Sequence, residues 1–136
     1  MANIFLNQDW MDLLLKKLNS DARYAKIASK WEGDMAFLIE PTSDLTQPLY
    51  FYLDLWHGTC RAAKIVPSLE GMSAAFTLTA TYDDINKILE GKLDPMQALM
   101  IRKLRVQGSM AYMMRNVPTV LDFVRVAREV TSEILS

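Results

Sequence analysis

The chain has 136 residues, 51% of them hydrophobic, with one cysteine and a formal net charge of −1. That length fits one domain able to bury a core, and the near-neutral charge excludes a global field that recruits nucleic acid. One thiol excludes an intrachain disulfide, and no apolar run of about 18 residues is present to span a membrane.

The expectation is a single cytoplasmic domain over residues 1–136, without a signal peptide, because no basic start precedes an apolar run in the first residues. In chain order, Trp10, Leu13, Leu14 and Leu18 share one helical face, and Asp9 is the expected N-cap. The stretch from Asn19 to Trp31 is ambiguous between more helix and an entry to the sheet. Met35 to Pro41 is apolar and ends at proline, and a loop follows between Pro41 and Pro48. Leu49 to Trp56 alternates: Leu49, Phe51, Leu53 and Leu55 on one face, Tyr50, Tyr52, Asp54 and Trp56 on the other. His57-Gly58-Thr59 signals a turn, with Cys60 to Val66 as the hairpin partner. Ala74 to Thr81 alternates again.

The period then becomes helical. Thr81 caps a helix bearing Ile85, Ile88 and Leu89, and Asp83 and Asp84 suit the positive end of its dipole. Gly91 is its C′ residue, and Asp94-Pro95 begins a second, short helix through Met96, Leu99 and Met100. Lys103 to Gly108 is a short strand with Leu104 and Val106 on one side. Ser109 caps the last helix, and Pro118 predicts a break near Val117. Grouped strands with helices segregated to the ends predict an α+β fold, helices on one sheet face. Tyr50, Tyr52 and Trp56 then form a candidate interface on the other face.

No catalytic constellation is legible. His57, the only histidine, lies at a turn, and one Cys with one His makes no zinc site. A Cys60–His57 enzyme would need an exposed thiol of lowered pKa. The glycines are scattered, so no phosphate loop is present. No catalytic residue, metal or cofactor is expected. Arg102 to Arg105 is a basic cluster, read either as a contact with anionic headgroups or as a charged edge strand. It is too short, and too free of aromatic residues, for nucleic acid. Five of the nine methionines lie between Met96 and Met114. Methionine fills irregular cores and also lines adaptable apolar sites, so spacing alone favours plain core.

The run Gly91-Lys92-Leu93-Asp94-Pro95, then Met96-Gln97-Ala98-Leu99-Met100, then Lys103-Leu104-Arg105-Val106-Gln107-Gly108 resembles the sterol carrier protein type 2 family of lipid-binding domains. With the strand and turn upstream, the resemblance covers about Phe51 to Val130. Two positions depart from it: Arg102 stands where the family often has glycine, and Ser109 where it often has aspartate. The resemblance implies a five-stranded, mainly antiparallel sheet with helices on one face and an apolar tunnel between them. It implies non-catalytic binding or transfer of a hydrophobic ligand such as a fatty acid, acyl-CoA or other lipid. The expected walls are Phe76, Leu78, Leu99, Met100, Met110, Met113, Met114 and Val117. Arg102 and Arg105 are the expected headgroup or transient membrane-surface contacts. The alternative is a ligand-free dimerisation or interaction module serving a partner enzyme, a homodimer pairing through Tyr50, Tyr52 and Trp56.

Overall fold

A computed structural model describes residues 6–135; Met1–Phe5, part of the stretch read for a leader, and Ser136 lie outside the described residues. The chain forms α1 (Gln8–Ser20), α2 (Ala22–Ile27), β1 (Met35–Glu40), β2 (Leu49–Trp56), β3 (Thr59–Val66), β4 (Phe76–Thr81), α3 (Tyr82–Leu89), α4 (Pro95–Met100), β5 (Arg105–Gln107), α5 (Met110–Arg115) and α6 (Val117–Leu135). The five strands make one sheet in the order β3-β2-β1-β4-β5. Three neighbouring pairs are antiparallel, and the central β1–β4 pair is parallel. Chain between β1 and β4 returns through the β2–β3 hairpin at one edge, which brings β4 in alongside β1 in the same direction.

Period-two alternation fixes which face is buried. Ile65, Phe51, Phe37, Leu78 and Val106 stand opposite one another in register, forming an apolar row across all five strands. Phe37 and Phe51 stack at its centre, centroids 4.5 Å apart. Helices α1, α3 and α6 cover this face, with α2 and α5 packed against α6. The opposite face carries Tyr52, Lys64, Ala36 and Thr77 in one register.

Local chemistry explains the element ends. Asn7, not Asp9, caps α1: its side-chain oxygen accepts from the Trp10 amide at 3.0 Å, and Asp9 falls in the first turn instead. Asn and Asp cap about equally well, so residue type alone does not choose between them. The ambiguous stretch after Asn19 forms a second helix because Asp21 caps it, accepting from the Tyr24 amide at 2.8 Å. Thr81 and Asp94 cap α3 and α4 as their spacing predicts, with Pro95 at the start of α4. Ser109 caps α5 only; the chain breaks at Asn116, and Pro118 falls in the first turn of α6, where its missing N–H is no loss.

The hairpin joining β2 and β3 turns through His57 and Gly58, both at positive φ (50° and 81°). This double left-handed pair matches the twist of the strands. A Cβ on Gly58 would also lie 2.6 Å from the Ala25 carbonyl oxygen, so the turn packs directly on α2. Replacing Gly58 by alanine is expected to destabilise the fold by about 2 kcal/mol or more, read as a lower urea midpoint at unchanged slope.

Candidate functional site

The helices do not fill the space above the sheet. A cavity of about 80 Å³ remains between Phe37, Phe51 and Leu78 of the sheet, Ile85 and Ile88 of α3, Leu99 of α4, Met113 of α5 and Val120, Phe123 and Val124 of α6. No charged side chain lines it. Of the wall residues expected from sequence, Leu78, Leu99 and Met113 face this cavity; Phe76, Met100, Met110, Met114 and Val117 do not. Phe76 is buried beside it, stacked on Trp31 at 5.5 Å. Met100 is 83% exposed and Met114 is 53% exposed. Helices α4 and α5 have six residues each, so turning Leu99 or Met113 inward points the next residue about 100° away. Sequence reasoning missed Tyr24, Trp10, Trp31 and Phe123 as lining residues. The α6 stripe through Val120 and Val124 was the available signal for that wall.

Side-chain bonds hold α6 over the cavity. Trp10 donates its indole N–H to the Thr131 hydroxyl at 3.0 Å, and that hydroxyl donates to the Ala127 carbonyl at 2.9 Å. Arg125 forks across three carboxylates: Asp122 at 2.8 Å, Asp21 at 2.8 Å and Glu129 at 2.7 Å. Arg128 donates to the Ile88 and Leu93 carbonyls, tying α6 to the end of α3. Helix α5 is anchored differently: the Tyr112 hydroxyl accepts from the Glu32 amide at 2.8 Å, and its ring packs on Trp31 at 5.2 Å. The two helices meet at Asn116, whose side-chain amide donates to the Tyr112 carbonyl at 2.8 Å.

The hydrogen bond from Arg125, together with the α2 amide, holds the Asp21 carboxyl below its ordinary value. The folded chain therefore binds this proton less readily than the unfolded chain, and Asp21 adds stability above about pH 4 that is lost as the pH falls below it. Asp21→Asn keeps the cap but loses the ion pair. It is expected to be about 1 kcal/mol less stable than the natural chain at neutral pH, with the gap narrowing below about pH 4 in urea titrations.

Other singled-out residues lie apart from the cavity. His57 Nε2 sits 2.6 Å from the Glu32 carboxylate at the exposed hairpin. Cys60 is buried, and that burial pushes its thiol up to about 12, the reverse of an activated nucleophile. On the outer sheet face the Tyr52 hydroxyl donates to Asp34 at 2.7 Å, Tyr50 is half-buried, and the Arg61 guanidinium lies 5.0 Å over Trp56. Arg105 on the edge strand pairs with Glu40, while Arg102 has no ion-pair partner among the described residues. Arg102 follows the end of α4 with φ at 63°, the left-handed conformation that glycine adopts without strain. Among the described residues no group of three or more acidic, His or Cys side chains is placed to hold a metal, and no helix is long and apolar enough to cross a membrane.

A description of the SCP-2 sterol transfer family matches residues 11–120. The chain is similar to a crystal structure of sterol carrier protein 2, with 34% identity, a TM-score of 0.83 and coverage of 93% of this chain and 98% of that chain. It is similar to the solution structure of a conserved hypothetical protein from Thermus thermophilus, with 33% identity, a TM-score of 0.84 and coverage of 95% and 91%. Sterol carrier protein domain 2 of Helicoverpa armigera shares the fold at 21% identity, with a TM-score of 0.60 and coverage of 89% and 87%. Comparison with curated proteins gave no match. An apolar cavity roofed by the last helix, a five-stranded sheet in this order and a match over most of the length agree: the chain belongs to the SCP-2 sterol transfer family, a family of lipid-binding and lipid-transfer domains.

Proposed function

We propose that this protein binds the apolar part of a single-chain lipid in the cavity beneath α6 and carries it without bond chemistry. The uncharged cavity lining carries this reading. Each methylene leaving water for such a lining gains about 0.8 kcal/mol, so roughly a dozen carbons support micromolar binding after ordering is subtracted. About 80 Å³ is less than a chain of that length needs. A dry engineered cavity of about 150 Å³ binds ligands as small as benzene or xenon. Ligand entry therefore requires α5 and the start of α6 to move apart from the sheet. Asn116 is the joint at which they do so, and Met113 and Leu99 are the pliable side chains that give way. The buried, unactivated Cys60 supports a non-catalytic role. Leu99→Trp, which fills the α4 end of the cavity, is expected to lower uptake of a fluorescent fatty acid about tenfold while leaving thermal stability within a few degrees. Unchanged uptake would count against the cavity as the binding site.

A membrane surface is the proposed donor and acceptor of the lipid. Between Asp94 and Asp122 the sequence carries Arg102, Lys103, Arg105 and Arg115 and no acidic residue. The same segment bears exposed Met100, Ile101, Met110, Met114 and Leu121; elsewhere among the described residues only Ile27 and Trp56 are large, apolar and exposed. Exposed apolar side chains beside cations suit an anionic bilayer, at about 1 kcal/mol per cation near the surface. Arg102 keeps its charge at a backbone position where a non-glycine residue is strained, which supports a use for that charge. The chain is expected to sediment with phosphatidylserine-containing vesicles, and an Arg102→Glu, Arg115→Glu double variant to lose at least tenfold of that binding. Equal binding to pure phosphatidylcholine would remove the electrostatic part of the proposal.

A further inference from the structure

The two edges of the sheet are closed in different ways. At one edge, β5 has three residues and carries exposed Arg105, and a short charged strand is a poor template for another chain. At the other edge, β3 runs for eight residues without proline, and the backbone groups that point away from β2 lie outside the ladder. Two side-chain amides of α1 take up those groups. The Cys60 amide donates to Asn19 Oδ1 at 2.8 Å, and Asn19 Nδ2 donates to the Cys60 carbonyl at 2.9 Å. The Ile65 amide donates to Gln8 Oε1 at 3.0 Å, and Gln8 Nε2 donates to the Ala63 carbonyl at 3.2 Å. Asn19 thus exchanges both bonds with one residue, as an antiparallel partner does. Gln8 bridges two residues that flank Lys64, as a parallel partner does.

The fit is built into α1. Gln8 and Asn19 stand eleven residues apart, about three turns, so they share one stripe of the helix. The rise between them, about 16 Å, equals the extended length from Cys60 to Ile65, also about 16 Å. Asp12, one turn on from Gln8, accepts from Gln8 Nε2 at 2.7 Å, which fixes the amide with its oxygen toward Ile65. Another face of α1, with Trp10, Met11, Leu14 and Leu18, is buried in the core. Gln8 and Asn19 are themselves exposed, so the edge they cover lies at the protein surface.

We infer that the β3 edge is a self-association surface, held closed by the Gln8 and Asn19 amides of α1, and that the partner it fits is the β3 edge of a second copy of this chain. A strand with open N–H and C=O groups pairs with another edge, and a two-fold axis between identical chains sets the two copies antiparallel. Centred on Ala63, such a pair sets each Lys64 against an Ala62, so like charges do not face one another. Thr59, Ile65 and Val66 are β-branched and favour extended pairing. Gln8, Asn19 and the β3 residues they bind lie outside the cavity lining, so the inference stands apart from the lipid reading.

The test compares the full natural chain with a Gln8→Ala, Asn19→Ala double variant by sedimentation velocity over about a hundredfold range of concentration. The natural chain is expected to stay a monomer, and the double variant to dimerise at least about tenfold more tightly, roughly the worth of one edge hydrogen bond. Adding Ile65→Pro to the double variant should restore the monomer. The Ile65 N–H points to Gln8 rather than to β2, so the ring removes an edge donor and no ladder bond. A double variant that keeps the natural circular dichroism and stays monomeric throughout would overturn the inference. So would a dimer that survives Ile65→Pro, because association would then run through another surface, such as that of Tyr50, Tyr52 and Trp56. A natural chain that already dimerises, and that Ile65→Pro alone dissociates, would overturn the closure by the amides. If the double variant unfolds, amide exchange in the two single variants decides. Gln8→Ala is expected to speed exchange at Ile65 about tenfold and leave Cys60 unchanged, and Asn19→Ala to do the reverse. Unchanged exchange at both sites would overturn the closed edge.

Discussion

Asp122 is the group on which the roof of this fold depends. Its side chain is 3% exposed, and its carboxylate is met by Arg125 at 2.8 Å and Arg23 at 3.3 Å. A carboxylate that deep, left unpaired, would destabilise the fold by several kcal/mol. So α6 can lie over the sheet only in the rotation that brings Arg125 onto both Asp122 and Asp21. That geometry couples the last helix to the N-cap of α2, far away in sequence. The Trp10–Thr131 bond fixes the other end of the same helix.

The cavity is a consequence of this placement. With α6 held by polar groups at its flanks, its inward residues are Val120, Phe123, Val124 and Ala127. These are mostly short side chains, and a cavity remains that both they and the Phe37–Phe51 stack line. An unfilled apolar space forfeits dispersion contacts, which costs stability unless something occupies it. The polar clamps hold the roof in place over this space. Helix α5 has a separate anchor on Tyr112, and it meets α6 at Asn116, whose side-chain amide donates to the Tyr112 carbonyl. Tyr24, by contrast, sits on the clamped side.

Much of the architecture was legible. Strand faces followed from strict alternation, and three helix starts followed from Thr81, Asp94 and Ser109, whose side chains accept from the amides they were expected to satisfy. The resemblance carried by Gly91 to Gly108 agrees with the family match, and Arg102 explains its own departure: it occupies the left-handed corner that glycine would take without strain. The cavity lining was only partly legible. Helical spacing treats Leu99 and Met100, or Met113 and Met114, as near neighbours on one apolar patch. In helices of six residues one faces in and the next faces out.

The sequence by itself determined most of the local grammar: the caps at Thr81, Asp94 and Ser109, which residues alternate, and where glycine or proline ends an element. These depend on bonds spanning a few residues, so they are readable from spacing. Tertiary structure alone decided the parallel β1–β4 pairing, the clamp from Asp21 to Arg125, the burial of Cys60 and the place of Tyr24 on the cavity wall. Each arises from groups far apart in the chain and brought together only when the core closes, and pairing at that range leaves no periodic mark in the sequence.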